Sequence, residues 1–333
     1  MYGTGSRKTP SLRGIVALAI AVAFASFLLT RFELDVEAVA QTIARSNPYF
    51  ILLALLLYYF SFVVRGLRWR LILRNSSLTG SEQERLPSTW ACARFILLGR
   101  FADAVTWFRL GNLYRAYLAT NSSLQGFSRT VGTTVAEHVL DVLVVLVLLV
   151  PVAAVLSPQI EIVSFTVVLA VVSGVAVALV AVLASMGRWG AWFARRLPRR
   201  AGRVYLRFQY GTLSSFKLCL LPPLLALSVA GWLLALGRWY FVIAALDISL
   251  SLPMLFLITL LNAVLAAIPL TPGGLGVIEP GVAGLLMLQL AAEDAVSVTL
   301  LERAISYASI LIVGGLLFLG EEIHARRAAA ATE

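Results

Sequence analysis

The sequence has few residues that bind metals or act as nucleophiles. Its 333 residues include two cysteines, Cys92 and Cys219, and two histidines, His138 and His324. Neither pair has the spacing of a metal site, and nothing in the sequence supports a disulfide between the cysteines. Lysine is equally scarce, with two in all, and neither lies in the glycine-rich loop that would bind ATP phosphates. We therefore expect no metal, no cofactor and no enzymatic activity.

What the chain has in abundance is apolar sequence. Hydrophobic residues make up 60% of it and its mean hydropathy is +0.89, against about 45–50% apolar residues in a soluble domain. Seven apolar stretches approach the ~20 residues that span a bilayer as a helix. They are continuous rather than alternating, so they predict helices and not a membrane barrel. The stretches cover residues 15–30, 49–64, 139–156, 162–184, 218–246, 254–270 and 296–319.

The charges predict how these helices are oriented. The net charge of +10 is carried almost entirely by arginine, and the basic clusters flank the spans as the positive-inside rule expects. The pattern predicts an all-α polytopic membrane protein with about six full spans, two re-entrant helical hairpins and both termini in the cytoplasm. The hairpins occupy residues 90–120 and 254–292, and the basic residues 188–217 form a cytoplasmic loop. Arg65, Arg68 and Arg70 are expected to snorkel at the end of the second span.

The chain also contains similar segments that indicate a weak internal repeat, with chance similarity as the alternative. At an offset of 165 residues, TWFRLG at 106–111 aligns with TPGGLG at 271–276, and VGTTVAEH at 131–138 aligns with VSVTLLER at 296–303. Upstream, LRW at 67–69 resembles GRW at 237–239. Three spans per copy would make the second copy upside down, which is a transporter architecture. The predicted domains are therefore a tail (1–13), a first half (14–156), an inverted second half (157–320) and a second tail (321–333). Cleavage of residues 1–25 as a signal peptide is the alternative at the N-terminus.

The segment PLTPGGLGVIEPG at 269–281 breaks the helical pattern inside an apolar region. Non-helical backbone at membrane depth is tolerated where it is buried in protein or lines a cavity. A simple turn outside the membrane is the alternative explanation.

Four motifs carry a resemblance to the lysylphosphatidylglycerol synthase transmembrane family, also called the flippase-like domain family. They are RLGNLYRAYL at 109–118, AEHVLD at 136–141, TPGGLGVIE at 271–279 and LER at 301–303. The resemblance covers about residues 10–320 and implies a lipid-translocating membrane domain. The chain departs from the family pattern at Asn112, where an acidic residue is expected, and at Glu137-His138, where Glu-Arg is expected. These departures weaken the expectation of a cationic headgroup. We also expect no synthase domain after residue 327.

Ionisable groups inside spans are functional candidates by default. We expect arginines at the first break and in the last span to bind a lipid phosphate. Nearby carboxylates would pair with them, bind a headgroup amine or carry a proton, and the breaks would line the path. The alternative is that these residues form structural ion pairs. The candidates are Arg109, Arg115, Glu137, Asp141, Thr271, Gly273, Gly274, Gly276, Glu279, Glu302 and Arg303.

Together these features predict a lipid flippase of the cytoplasmic membrane. It would move an aminoacyl-phospholipid, a phospholipid or a polyprenyl-linked lipid through a polar cavity between the hairpins. Two alternatives are a membrane enzyme acting on a polyprenyl-phosphate lipid and a non-catalytic partner subunit of a lipid-modifying enzyme. The expected partners are membrane lipids with anionic phosphate headgroups, and a homo-oligomer or a partner enzyme.

Overall fold

The computed structural model describes residues 36–78, 80–106, 110–123, 125–156, 165–217, 220–267 and 271–330. Within these ranges the chain is almost entirely helical and contains no β-strand, which confirms the all-α polytopic membrane fold. The helices are α1 (Val36–Ala44), α2 (Pro48–Asn75), α3 (Gly80–Glu84), α4 (Thr89–Val105), α5 (Gly111–Asn121), α6 (Phe127–Leu156), α7 (Phe165–Arg196), α8 (Arg199–Ser214), α9 (Leu221–Ala245), α10 (Leu252–Ala267), α11 (Ile278–Leu286), α12 (Ala292–Arg303) and α13 (Ser309–Ala330). A short 3₁₀ turn (Pro272–Gly274) precedes α11, and a π-helical turn (Ala304–Ala308) joins α12 to α13.

Five helical segments of the described chain are long and apolar enough to cross a bilayer. They cover Pro48–Asn75, Phe127–Val150, Ser173–Arg196, Leu221–Ala245 and Ala292–Glu321. Each contains or overlaps one predicted span. The first predicted span, residues 15–30, lies outside the described residues. The apolar stretch at 254–270 corresponds to α10, which has only 16 residues.

Two shorter helix pairs fold back on themselves at the predicted breaks. In α4 and α5, the side chain of Asp103 accepts a hydrogen bond from the Gly111 amide at 2.8 Å, and Gly99 packs directly against Gly111. Between α10 and α11, Leu265 packs over Gly281. Helix, break and shorter helix thus occur at both segments predicted to be hairpins. Their position within the bilayer stays a prediction.

At the centre of the fold, α2 and α9 run antiparallel to each other. The Asn47 amide, just before α2, donates to the carbonyl of Ala245 at the end of α9, at 2.7 Å. At the other end, the Asn75 side chain donates to the carbonyl of Ser215, between α8 and α9. Both helices carry the repeated Arg-Trp pair. Trp69 and Trp239 are each fully buried in one of the two hydrophobic cores.

The basic segment 188–217, predicted to be a cytoplasmic connection, is largely helical, and its side of the membrane stays a prediction. Arg188 and the residues up to Arg196 complete α7, and residues from Arg199 form α8. Gly202, Gly211 and Thr212 are the buried residues of α8. Gly202 packs against the Ala194 carbonyl of α7 and Gly211 against the Arg129 carbonyl of α6, which the basic composition of the segment does not indicate.

We predict that the closest backbone contact of the first hairpin requires glycine at position 111. A Cβ added there would lie 2.0 Å from the Gly99 carbonyl oxygen, and such overpacking costs about 1–3 kcal/mol. Gly111→Ala should therefore lower the thermal unfolding midpoint of the purified protein. Gly231→Ala is the matched control, because Gly231 has open space at its Cβ and alanine favours helix. Equal midpoints for the two variants would contradict the packing of α4 on α5.

Candidate functional site

A buried ion cluster joins α2, α5 and α6. Arg68 lies 2.7 Å from Glu137 and 2.5 Å from Asp141, and its Nη1 also donates to Ser228 on α9. Arg115 contacts the second oxygen of Glu137 at 2.6 Å. The side chains of Arg68 and Glu137 are 3% and 4% exposed. Glu137 and Asp141 both reach Arg68 because a spacing of four places them on one face of α6.

The second half of the chain contains the corresponding ion pair. Arg238 on α9 contacts Glu302 on α12, and both side chains are almost completely buried. Arg238 and Glu302 lie 170 and 165 residues after Arg68 and Glu137, which are the offsets of the sequence repeat. A tryptophan follows each arginine, and both tryptophans are fully buried. The same helix-to-helix contact is therefore built twice.

The TPGGLG segment forms a break that only glycine permits. Gly273, Gly274 and Gly276 have φ angles of 60°, 72° and 75°, in the left-handed region that side chains disfavour. A Cβ on Gly273 would also lie 2.2 Å from the Tyr307 ring. The Thr271 hydroxyl donates to the Leu275 carbonyl at 2.7 Å, so the break has a defined shape.

Arg303 and Glu279 fasten this break to the last long helix. Arg303 Nε lies 2.8 Å from Glu279 Oε1, and its Nη2 donates to the Gly273 carbonyl at 2.9 Å. Glu279 Oε2 in turn accepts from the Gly276 amide at 2.7 Å. The Glu279 carboxylate thus binds both the Gly276 amide and the Arg303 guanidinium group.

Tyrosines connect the two breaks and the π-helical turn between α12 and α13. Tyr307 donates to the carbonyl of Ala104 at the end of α4, at 3.2 Å. Tyr58 on α2 donates to the carbonyl of Ser306 within the π-helical turn, at 2.9 Å. Such turns are frequent at functional sites, and this one lies directly after Glu302 and Arg303.

A cavity of about 180 Å³ lies between the second break, the end of α4 and the central helices. Asp103 is the one acidic side chain among the described residues that line it, against four arginines. The remaining lining is apolar, aromatic or uncharged polar. The charged and polar lining residues include Ser61, Arg65, Arg100, Asp103, Arg238, Thr259, Asn262, Thr271 and Arg303.

A second cavity of about 40 Å³ lies at the first break. It is lined by residues of α2, α4, α5 and α6, among them Arg115, Glu137, His138 and Asp141. Three residues line both cavities: Arg65, Arg100 and Asp103. They form the wall between the first break and the larger cavity.

The structure divides the sequence-predicted site residues between these two places. The first-half residues Arg115, Glu137 and Asp141 surround the smaller cavity. Thr271, Gly273, Gly274 and Arg303 line the larger one. Gly276 and Glu279 are hydrogen-bonded to each other within the second break, and Glu302 forms its ion pair with Arg238. Arg109 lies outside the described residues.

Sequence reasoning missed two arginines that line the larger cavity and misplaced two others on α2. Arg100 and Arg238 were not among the candidates. Arg65 and Arg68 were expected to snorkel at a span end, yet Arg65 lines both cavities and Arg68 is buried against carboxylates. The offset of 170 between Arg68 and Arg238 was the one available signal, since matching buried charges across a repeat are seldom accidental.

The two departures from the family pattern meet in space. The Asn112 side-chain nitrogen lies 2.9 Å from His138 Nε2. In the second half, Arg303 occupies the position of His138 and pairs with Glu279. The first break is therefore fastened to its long helix by an amide–imidazole contact where the second break uses an ion pair.

Comparison with known proteins matches this chain to membrane proteins. Residues 14–314 match the family described as the lysylphosphatidylglycerol synthase TM region. The UPF0104 membrane protein MJ1078 of Methanocaldococcus jannaschii is 31% identical over 219 residues, which cover 66% of this chain and 93% of that relative.

We predict that Arg238 and Glu302 contribute to stability as a pair. Arg238→Met would leave the Glu302 carboxylate buried without its arginine, at a cost of about 3–5 kcal/mol. The double variant Arg238→Met, Glu302→Leu should recover much of that loss, because it buries no charge. Thermal unfolding of the purified single and double variants measures both. If the double variant loses as much unfolding free energy as the two single variants lose together, the two residues are not coupled and the prediction is contradicted.

Proposed function

The chain belongs to the lysylphosphatidylglycerol synthase transmembrane family, and we propose that it moves an amphipathic lipid across the cytoplasmic membrane. In this proposal the headgroup passes through the cavity between the two helix breaks while the acyl chains stay in the bilayer. Both termini lie in the cytoplasm, as the arginine distribution favours.

The observation that supports this proposal is the larger cavity. It contains a surplus of arginines between two places where the helices are interrupted. Charged groups at membrane depth are costly unless they pair or serve a polar path. Guanidinium groups bind phosphate oxygens in bidentate fashion, so the cavity suits the phosphate of a lipid headgroup.

The paired helices suggest how the protein would move. The corresponding helices α2 and α9 run antiparallel, as two inverted halves require. Each carries an arginine that binds the glutamate of a long helix in its own half. These ion pairs would keep each half rigid while the halves rock against each other.

The ion pairs of the carboxylates favour transport over catalysis. Glu137, Glu279 and Glu302 are each bound to an arginine. These contacts occupy the carboxylates that an acid–base mechanism would need to place within hydrogen-bond reach of a substrate. We therefore propose that the chain carries its lipid without changing it covalently.

The test is lipid crossing in liposomes that contain the purified protein. Fluorescent phosphatidylglycerol on the inner leaflet becomes accessible to a membrane-impermeant quencher only after it crosses. The protein should accelerate this step, and Arg303→Gln should slow it about tenfold or more, since bonds to charged groups contribute about 1.5–3 kcal/mol.

Arg94→Gln is the control, because Arg94 is half exposed and pairs with Glu321 away from the cavity. Liposomes that contain the Arg94→Gln variant should show lipid crossing at the rate of the unaltered protein. Lipid crossing no faster than in empty liposomes, for phosphatidylglycerol, phosphatidylethanolamine and polyprenyl phosphate alike, would contradict the transport function. Recovery of a covalently altered lipid would favour an enzyme instead.

A further inference from the structure

Arg65 and Arg100 differ from the other arginines around the cavities. Arg68 and Arg115 bind Glu137, Arg238 binds Glu302, and Arg303 binds Glu279. Among the described residues, Arg65 and Arg100 form neither a hydrogen bond nor an ion pair.

The two guanidinium groups face the same two cavities. Arg65 belongs to α2 and Arg100 to α4, and both are partly enclosed. Asp141 and Glu137 line the smaller cavity with Arg65 but form their ion pairs with other arginines. Asp103, their acidic neighbour in the shared wall, already accepts a hydrogen bond from the Gly111 amide. Two like charges so placed would be stabilised by an anion between them.

We propose that Arg65 and Arg100 bind the phosphate group of the transported lipid, and that this site selects a net-anionic headgroup over an aminoacylated, cationic one. The inference rests on the proposed transport function and narrows its substrate. Because both arginines line both cavities, a phosphate held there is in contact with the first break and the second. The site thus lies where the headgroup would pass from one break to the other.

The rest of the larger cavity supports the same selectivity. Arg238 and Arg303 also face it, and Asp103 is its one acid among the described residues. An ammonium group on the headgroup would meet four guanidinium groups and a single carboxylate, that of Asp103. Like-charge contact of this kind rejects a ligand that otherwise fits. A lysyl headgroup is therefore disfavoured, although the family takes its name from such a lipid.

The test measures lipid binding to the full-length protein in detergent. Short-chain phosphatidylglycerol, phosphatidylcholine and lysyl-phosphatidylglycerol are titrated separately, and bound lipid is counted by native mass spectrometry. Phosphatidylglycerol should bind at least about tenfold more tightly than the other two, and Arg65→Gln or Arg100→Gln should abolish that preference. Arg65→Lys, which keeps the charge, should retain part of it. Arg74→Gln is the control, because Arg74 is exposed on the same helix.

Three results would overturn the inference. The first is lysyl-phosphatidylglycerol binding as tightly as phosphatidylglycerol, and the second is a preference that survives both glutamine variants. The third is Arg65-dependent binding of inorganic phosphate alone, without phosphatidylglycerol binding, which would make this a site for a free anion.

The liposome assay separates this inference from the transport proposal. Equal crossing rates for anionic and cationic lipids would leave transport standing and overturn the selectivity. Anion-selective binding by a protein that moves no lipid would leave the site standing and overturn transport.

Discussion

The structure depends on one interaction that occurs twice, an arginine on a central helix bound to a buried glutamate on the following long helix. Arg68 with Glu137, and Arg238 with Glu302, join helices through side chains that are almost completely buried, where removal of one partner leaves a costly charge. Once these carboxylates are bound, the neighbouring helices are fixed relative to α2 and α9. The helix breaks then face a cavity whose position the ion pairs determine.

The breaks show why this arrangement needs particular residues. Three glycines with positive φ give the second break its shape, and Glu279 and Arg303 satisfy the polar groups that the break exposes. The first break is fastened by Asp103 and by the contact of Asn112 with His138. The larger cavity is lined by more arginines than acidic residues, and among the described residues Arg65 and Arg100 are the two of these arginines that form no ion pair.

Much of this was predictable from the sequence because helix period and hydrophobicity are local properties. The apolar runs located every long helix of the described chain, and TPGGLG located the second break. Local patterns do not indicate which charges meet. In the sequence, Arg68 has the pattern of a residue at the end of a span, and only the fold places Glu137 of α6 beside it. Arg100 can be recognised as a candidate site residue only from the cavity, which residues distant in the sequence form. The helix α8 was missed because its arginines dominate its composition.

The most direct test of the headgroup path is to join the end of α4, at the first break, reversibly to the π-helical turn that packs on the second break. Tyr307 contacts the carbonyl of Ala104, and both residues line the larger cavity. In a background with Cys92 and Cys219 replaced by serine, Ala104→Cys and Tyr307→Cys can be joined by a short, reducible thiol cross-linker. Lipid crossing in liposomes should stop when the linker is attached and recover when it is reduced, with each single-cysteine variant unaffected. Unchanged crossing in the bridged protein would contradict a path between the breaks.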